Sequence, residues 1–82
     1  MMLYLITFRS VTFAQRGERA LRQAGINCEL QRTPRWMEEK GCGYSLSVKE
    51  VLGVLEVLRN QKVPFRKVYR RRSDGSPEEV RL

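Results

Sequence analysis

Histidine is absent from the 82 residues, which removes imidazole as a general base, a nucleophile or a metal ligand. Thiols are scarce: only Cys28 and Cys42 are present. A closed four-ligand zinc site within one chain would therefore have to recruit carboxylates, and no metal site is expected. Two cysteines also fall short of the disulfide framework that staples small secreted domains. Long apolar runs are missing too. The longest, Met1 to Ile6, is far too short to cross a bilayer, and it lacks the flanks of a secretory signal. No membrane contact and no cofactor are expected, and the chain is assigned to the cytoplasm. Whatever chemistry it performs must come from thiol, carboxylate, guanidinium or backbone.

What is present is basic and globular. Sixteen Lys and Arg against nine Asp and Glu give a net charge of +7, with 41% hydrophobic and 30% charged residues. That composition supports one modest core. The basic excess suits nucleic acid, an acidic protein or small anions; the alternative is that it only keeps a small domain in solution.

Leu3 to Phe8 is apolar on both alternating faces, as in a central strand. Ser10 or Thr12 can cap the helix that follows. From Val11 to Ala24, Phe13, Ala14, Gly17, Ala20, Leu21 and Ala24 recur at helical spacing, with Arg16, Arg19 and Arg22 toward the other side. Gly17 on the inner stripe allows a close approach to the sheet, and Gly25 is a helix-ending C′ residue. Ile26 to Gln31 alternates as a strand with Cys28 inward, and Tyr44 to Val48 alternates as another. Ser47 to Glu50 matches a capping box, opening a helix that turns Val51, Leu52, Val54, Leu55 and Leu58 inward and stops near Asn60. Val63 to Tyr69 reads as a fourth strand, with Pro64 suiting an edge.

The order strand, helix, strand, strand, helix, strand predicts an α+β domain over residues 1–69. It is the ferredoxin-like split βαβ (βαββαβ), an antiparallel four-stranded sheet with two helices on one face. The basic and acidic tail, residues 70–82, can extend strand four, turn at Asp74-Gly75 and return as an edge strand. Arg70 to Arg72 would then lie near Glu78 and Glu79. A helical turn from Ser76, or a loose tail, is the alternative.

Between the second and third strands lies Thr33-Pro34-Arg35-Trp36-Met37-Glu38-Glu39-Lys40-Gly41-Cys42-Gly43. In a split βαβ sheet this loop shares an edge with the end of strand one and the start of the first helix. Unpaired N–H groups near Ser10, Val11 and Thr12 then face the same region. Arg9, Arg32 and Arg35 add positive charge, and Gly41 and Gly43 leave the Cys42 sulfur unshielded. Such surroundings lower a thiol pKa and raise its reactivity. The competing reading makes Cys42 a small hydrophobe at a strand start. Trp36 and Met37 fold onto the core or form a lip or docking surface, and Cys28 packs in the core.

Tyr4 to Phe8, Ala20-Leu21, Ala24-Gly25-Ile26, Thr33-Pro34-Arg35, Cys42-Gly43-Tyr44-Ser45-Leu46 and Val68-Tyr69 together resemble the selenium/sulfur carrier protein-like family of small bacterial proteins. The resemblance runs from Leu3 to about Tyr69. It implies that Cys42 holds sulfur or selenium, as a persulfide or selenyl-sulfide, and passes it between donor and acceptor proteins. Thr33, Pro34 and Arg35 match the family's Thr-Pro-Arg element, and Gly43 its glycine after the cysteine. A carrier is thus expected rather than a stand-alone enzyme. Two other functions remain open: a nucleic-acid module stacking bases on Tyr4, Phe8 or Tyr44, and a homo-oligomeric or adaptor domain.

Overall fold

The computed structural model describes residues 4–32, 43–71 and 77–80. The elements are β1 (Tyr4–Thr7), α1 (Val11–Gln23), β2 (Cys28–Arg32), β3 (Tyr44–Val48), α2 (Leu52–Asn60), β4 (Val68–Arg71) and β5 (Pro77–Val80). The strands form one sheet in the order β2-β3-β1-β4-β5, and every pairing is antiparallel. The protein is thus α+β with two helices.

Five strands stand where the domain alone was expected to have four, and the fifth is the edge strand expected as one form of the tail. The fifth comes from the tail, which returns along β4 and covers an edge that would otherwise expose unpaired backbone groups. Arg70 Nη2 reaches Glu78 Oε1 at 3.0 Å and Lys67 Nζ reaches Glu79 Oε1 at 3.6 Å. These exposed pairs favour the register but contribute little energy. Asp74-Gly75 lies outside the described residues.

The two faces of the sheet differ. Ile6, Phe8, Leu46, Val48, Cys28 and Val68 are buried with Ala14 and Leu21 of α1 and Val54, Leu55 and Leu58 of α2 in one core. Each large side chain there stabilises the fold by roughly 1.5–3 kcal/mol. Helix α1 comes close to the sheet at Gly17, as its place on the inner stripe suggested. A Cβ there would meet Phe8 Cζ at 3.1 Å and Leu46 Cδ1 at 3.2 Å.

Three local expectations fail in α2 and β4. Ser47 does not open a capping box, because β3 runs on to Val48 and Ser47 Oγ donates to Gln31 Oε1 at 2.7 Å. The helix starts at Leu52 after Val51, with no side-chain cap. Leu52, expected inward, is 83% exposed, because it lies about 100° round the helix from Val51, off the buried stripe of Val51, Val54, Leu55 and Leu58. Strand β4 begins at Val68, not Val63.

Both helices end by the same device. In α1 the Ile26 N–H donates to Leu21 O and the Gly25 N–H to Arg22 O, at 2.9 and 3.0 Å, with Gly25 at φ 77°. In α2 the Val63 N–H donates to Leu58 O and the Lys62 N–H to Arg59 O, at 2.9 and 3.0 Å. Here the left-handed position falls on Lys62, at φ 56°. A Cβ there costs about 1 kcal/mol that glycine avoids. Lys62→Gly should therefore stabilise the protein by up to about 1 kcal/mol, less the greater freedom of glycine when unfolded. A raised urea midpoint with unchanged slope is the expected readout, and a lowered midpoint would contradict it.

Candidate functional site

Strand register brings β2, β3, β1 and α1 together at one end of the sheet. Arg32 closes β2 opposite Tyr44, the first residue of β3, and Ser45 lies opposite Thr7, the last residue of β1. Arg9 and Ser10 then lead into α1. Arg32 and Gly43, the described residues flanking the intervening segment, thus stand at the end where α1 begins.

Of the residues proposed from sequence, Thr33, Pro34, Arg35, Gly41 and Cys42 lie outside the described residues, as do Trp36 and Met37. The structure does describe Ser10, Thr12 and Gly43. Ser10 is the N-cap, its Oγ accepting from the Phe13 N–H at 3.2 Å. Its carbonyl accepts the first helical bond, from Ala14 N at 3.1 Å. The hydroxyl therefore holds the helix start, although its own proton can still be donated. Thr12 is exposed. Gly43 is buried with φ 74°, a left-handed conformation that disfavours any side chain.

Two cations enter this end that the sequence did not signal. Thr7 faces both Arg66 and Lys67: its N–H donates to Lys67 O at 2.9 Å and its carbonyl accepts from Arg66 N at 2.7 Å. Two residues opposite one is a β-bulge, and it explains why regular β4 starts only at Val68. The bulge would leave the Lys67 N–H without a ladder partner, but Thr7 Oγ1 accepts it at 3.1 Å. The same hydroxyl lies 3.3 Å from Lys67 O, to which it donates. A β-branched polar residue ending the central strand was the available signal, but the bulge itself has no sequence marker. Thr7→Val keeps the shape and removes both bonds. It should cost about 1–2 kcal/mol in urea unfolding; an unchanged midpoint would show that the hydroxyl does not hold the bulge.

Cys28 occupies the opposite kind of setting. It is 5% exposed, and its Sγ points at Glu18 O, 3.8 Å away. Burial pushes its pKa up, with Arg22 pulling it down and Glu18 adding to the rise. The thiol is a core residue, as expected from its strand. The neutral thiol's stabilisation is complete below the ordinary thiol range and is lost as pH rises through the elevated folded value. Unfolding free energy should thus fall above about pH 8.5, and Cys28→Ala should flatten that slope. An identical slope in the variant would rule out Cys28 as its source.

The aromatic platform for nucleic acid does not form from the residues suggested for it. Phe8 is 1% exposed, and Tyr4 and Tyr44 pack against the helix-side core. The outer face instead carries Leu5, Thr7, Gln31, Ser45, Ser47 and Tyr69, with Leu5, Ser45 and Ser47 buried. The basic stripe of α1 is present, with Arg16, Arg19 and Arg22 exposed and Arg22 paired to Glu18 at 3.4 Å. Among the described residues no helix is long and apolar enough to cross a membrane. None of them form a cluster of three metal-type ligands.

No curated protein and no solved structure matches the chain. A family model does, over residues 3–70, and its description is "Putative Se/S carrier protein-like". With most of its length matched, from the central strand through β4, the chain belongs to this selenium/sulfur carrier protein-like family.

Proposed function

We propose that the protein carries sulfur or selenium on Cys42 and passes it from a donor protein to an acceptor protein. The observation that carries this reading is the family match across residues 3–70, which includes Thr33-Pro34-Arg35 and Cys42-Gly43. In the sulfur case the Cys42 thiolate attacks the terminal sulfur of a donor persulfide. A new S–S bond forms at Cys42, the donor's S–S bond breaks, and the donor leaves as its thiolate. The acceptor reverses the exchange, so the carrier needs no cofactor and no net oxidation.

Electrostatics support the role. The Val11 and Thr12 N–H groups have no hydrogen-bond partner among the described residues, so the positive end of α1 is open to an anion. Arg9, Arg32 and the bulge residues Arg66 and Lys67 add charge at that sheet end. Arg35 is the further cation we assign to the site, with Thr33, Pro34, Gly41 and Gly43 shaping the loop. With β5 set aside, the order β2-β3-β1-β4 supports a ferredoxin-like reading of the carrier domain, residues 1–69. Residues 70–82 are then an addition to its edge. Cytoplasmic location fits a chain with only two cysteines, too few for a disulfide framework.

Incubation with a cysteine desulfurase and cysteine, followed by intact-mass measurement, tests the proposal. One added sulfur is expected on the wild type and none on Cys42→Ser. An adduct that persists in Cys42→Ser, or none on either protein, would sink it.

A further inference from the structure

The sheet ends in two edge strands, β2 and β5, and Thr7 fixes which backbone groups point out at each. Its N–H and its carbonyl both turn to the β4 side, bonding Lys67 O and Arg66 N. Successive residues of an antiparallel strand turn their backbone groups to alternate sides, so Tyr4 and Ile6 bond β3. The registers carry this alternation across the sheet. Leu46 and Val48 bond β1, Ser45 and Ser47 bond Gln31 and Glu29, and Cys28, Leu30 and Arg32 turn outward. Arg22 Nη2 donates to Cys28 O at 3.4 Å from beyond the sheet, in agreement. The backbone groups of Leu30 and Arg32 have no partner among the described residues.

On β5 the same alternation turns Pro77 and Glu79 outward. Proline has no N–H, so the described part of that edge keeps one donor. Edge β2 is thus the open template for a further strand.

Charge on the helix side of β2 selects what fits. Cys28 and Leu30 face the helices, and Glu18 and Arg22 of α1 both reach Cys28. They belong to a shallow groove with Gln15, Arg19 and Gln23. Arg22 shares its charge with Glu18 at 3.4 Å, whereas exposed Arg19 and Arg32 have no ion-pair partner among the described residues. A side chain directly opposite Cys28 on an added strand would stand about 5 Å away on this face, beside Arg22. A second copy fits badly: antiparallel pairing about Leu30 would bring Arg32 of one copy opposite Cys28 and beside Arg22 of the other, cation against cation.

We propose that β2 is a docking edge that takes an extended segment of an acidic partner protein as a sixth, antiparallel strand. The Leu30 and Arg32 backbone groups pair with the segment's main chain. Its alternate residues are acidic opposite Cys28, apolar opposite Leu30, which packs against the core, and acidic opposite Arg32. The proposal does not rest on the carrier reading.

The test titrates the full chain with a seven-residue peptide bearing glutamates two positions either side of a central valine, and follows amide hydrogen exchange by NMR. At saturation the Leu30 and Arg32 amides should exchange at least about tenfold more slowly, with the Glu79 amide unchanged. Arg22→Gln should weaken binding about threefold to fivefold, and lysines in place of the glutamates should abolish it. Binding that leaves both amides unprotected, or no saturable binding, would overturn the proposal. Protection that grows with protein concentration in the absence of peptide would overturn it in favour of a second copy.

Discussion

The close contact of α1 with the sheet at Gly17 governs the rest of the fold. Without a side chain there, the helix settles so close that a Cβ on Gly17 would stand 3.1–3.3 Å from the Phe8 ring and a Leu46 methyl. That seals the two central strands beneath it, with Ile6, Phe8, Leu46 and Val48 at 1% exposure or less. Because β1 leads into α1 through only Phe8, Arg9 and Ser10, the depth of the helix also sets where its N-terminus stands. Any residue larger than alanine at Gly17 would have to lift the helix or displace Phe8. Either change would move the cap at Ser10 together with the core.

The fold was legible where a pattern had one physical meaning. The run of β1 that is apolar on both faces, the alternation of β3, the inner stripe of α1, and Gly25 after Ala24 each specify an element by sterics and burial alone. Legibility failed where two local rules competed for the same residues. Ser47 and Glu50 have capping-box spacing, but Ser47 also stands on the interior strand β3, where half-buried Gln31 offers a partner. Pairing and burial outweighed one cap, so the helix began later, at Leu52. The bulge at Arg66 and Lys67 was not legible, because it depends on a hydroxyl 60 positions away in sequence. Lys62 at a left-handed position could be found only in the backbone, since lysine carries no signal for it.

The candidate site divides in a similar way. Sequence could rank the two thiols, because Cys28 lies on an alternating strand and Cys42 between glycines, and the burial of Cys28 agrees with its part of that ranking. Sequence could also narrow the cap to Ser10 or Thr12, of which Ser10 takes the place, and mark Arg9 and Arg32 as nearby cations. It could not separate Ser45 from Ser47, two serines spaced alike on one face. Only the register reveals that Ser47 is satisfied by Gln31 while Ser45 has neighbours that are already occupied.

Among the described strands the outer face carries one aromatic residue, Tyr69, too few rings to stack a run of bases. Stacking needs exposed rings on the open side of the sheet, and here the rings of Tyr4, Phe8 and Tyr44 turn toward the helices. What the outer face offers instead is a row of short polar side chains, Gln31, Ser45 and Thr7, ending at a bulge that carries two cations. Groups that short reach one or two atoms, not a base. The basic stripe on α1 lies on the other side of the molecule, where Arg16 and Arg19 point to solvent. An acidic partner could therefore bind there without covering the sheet end. On the proposed carrier reading, a docking charge away from the sheet end would leave that end accessible to donor and acceptor in turn.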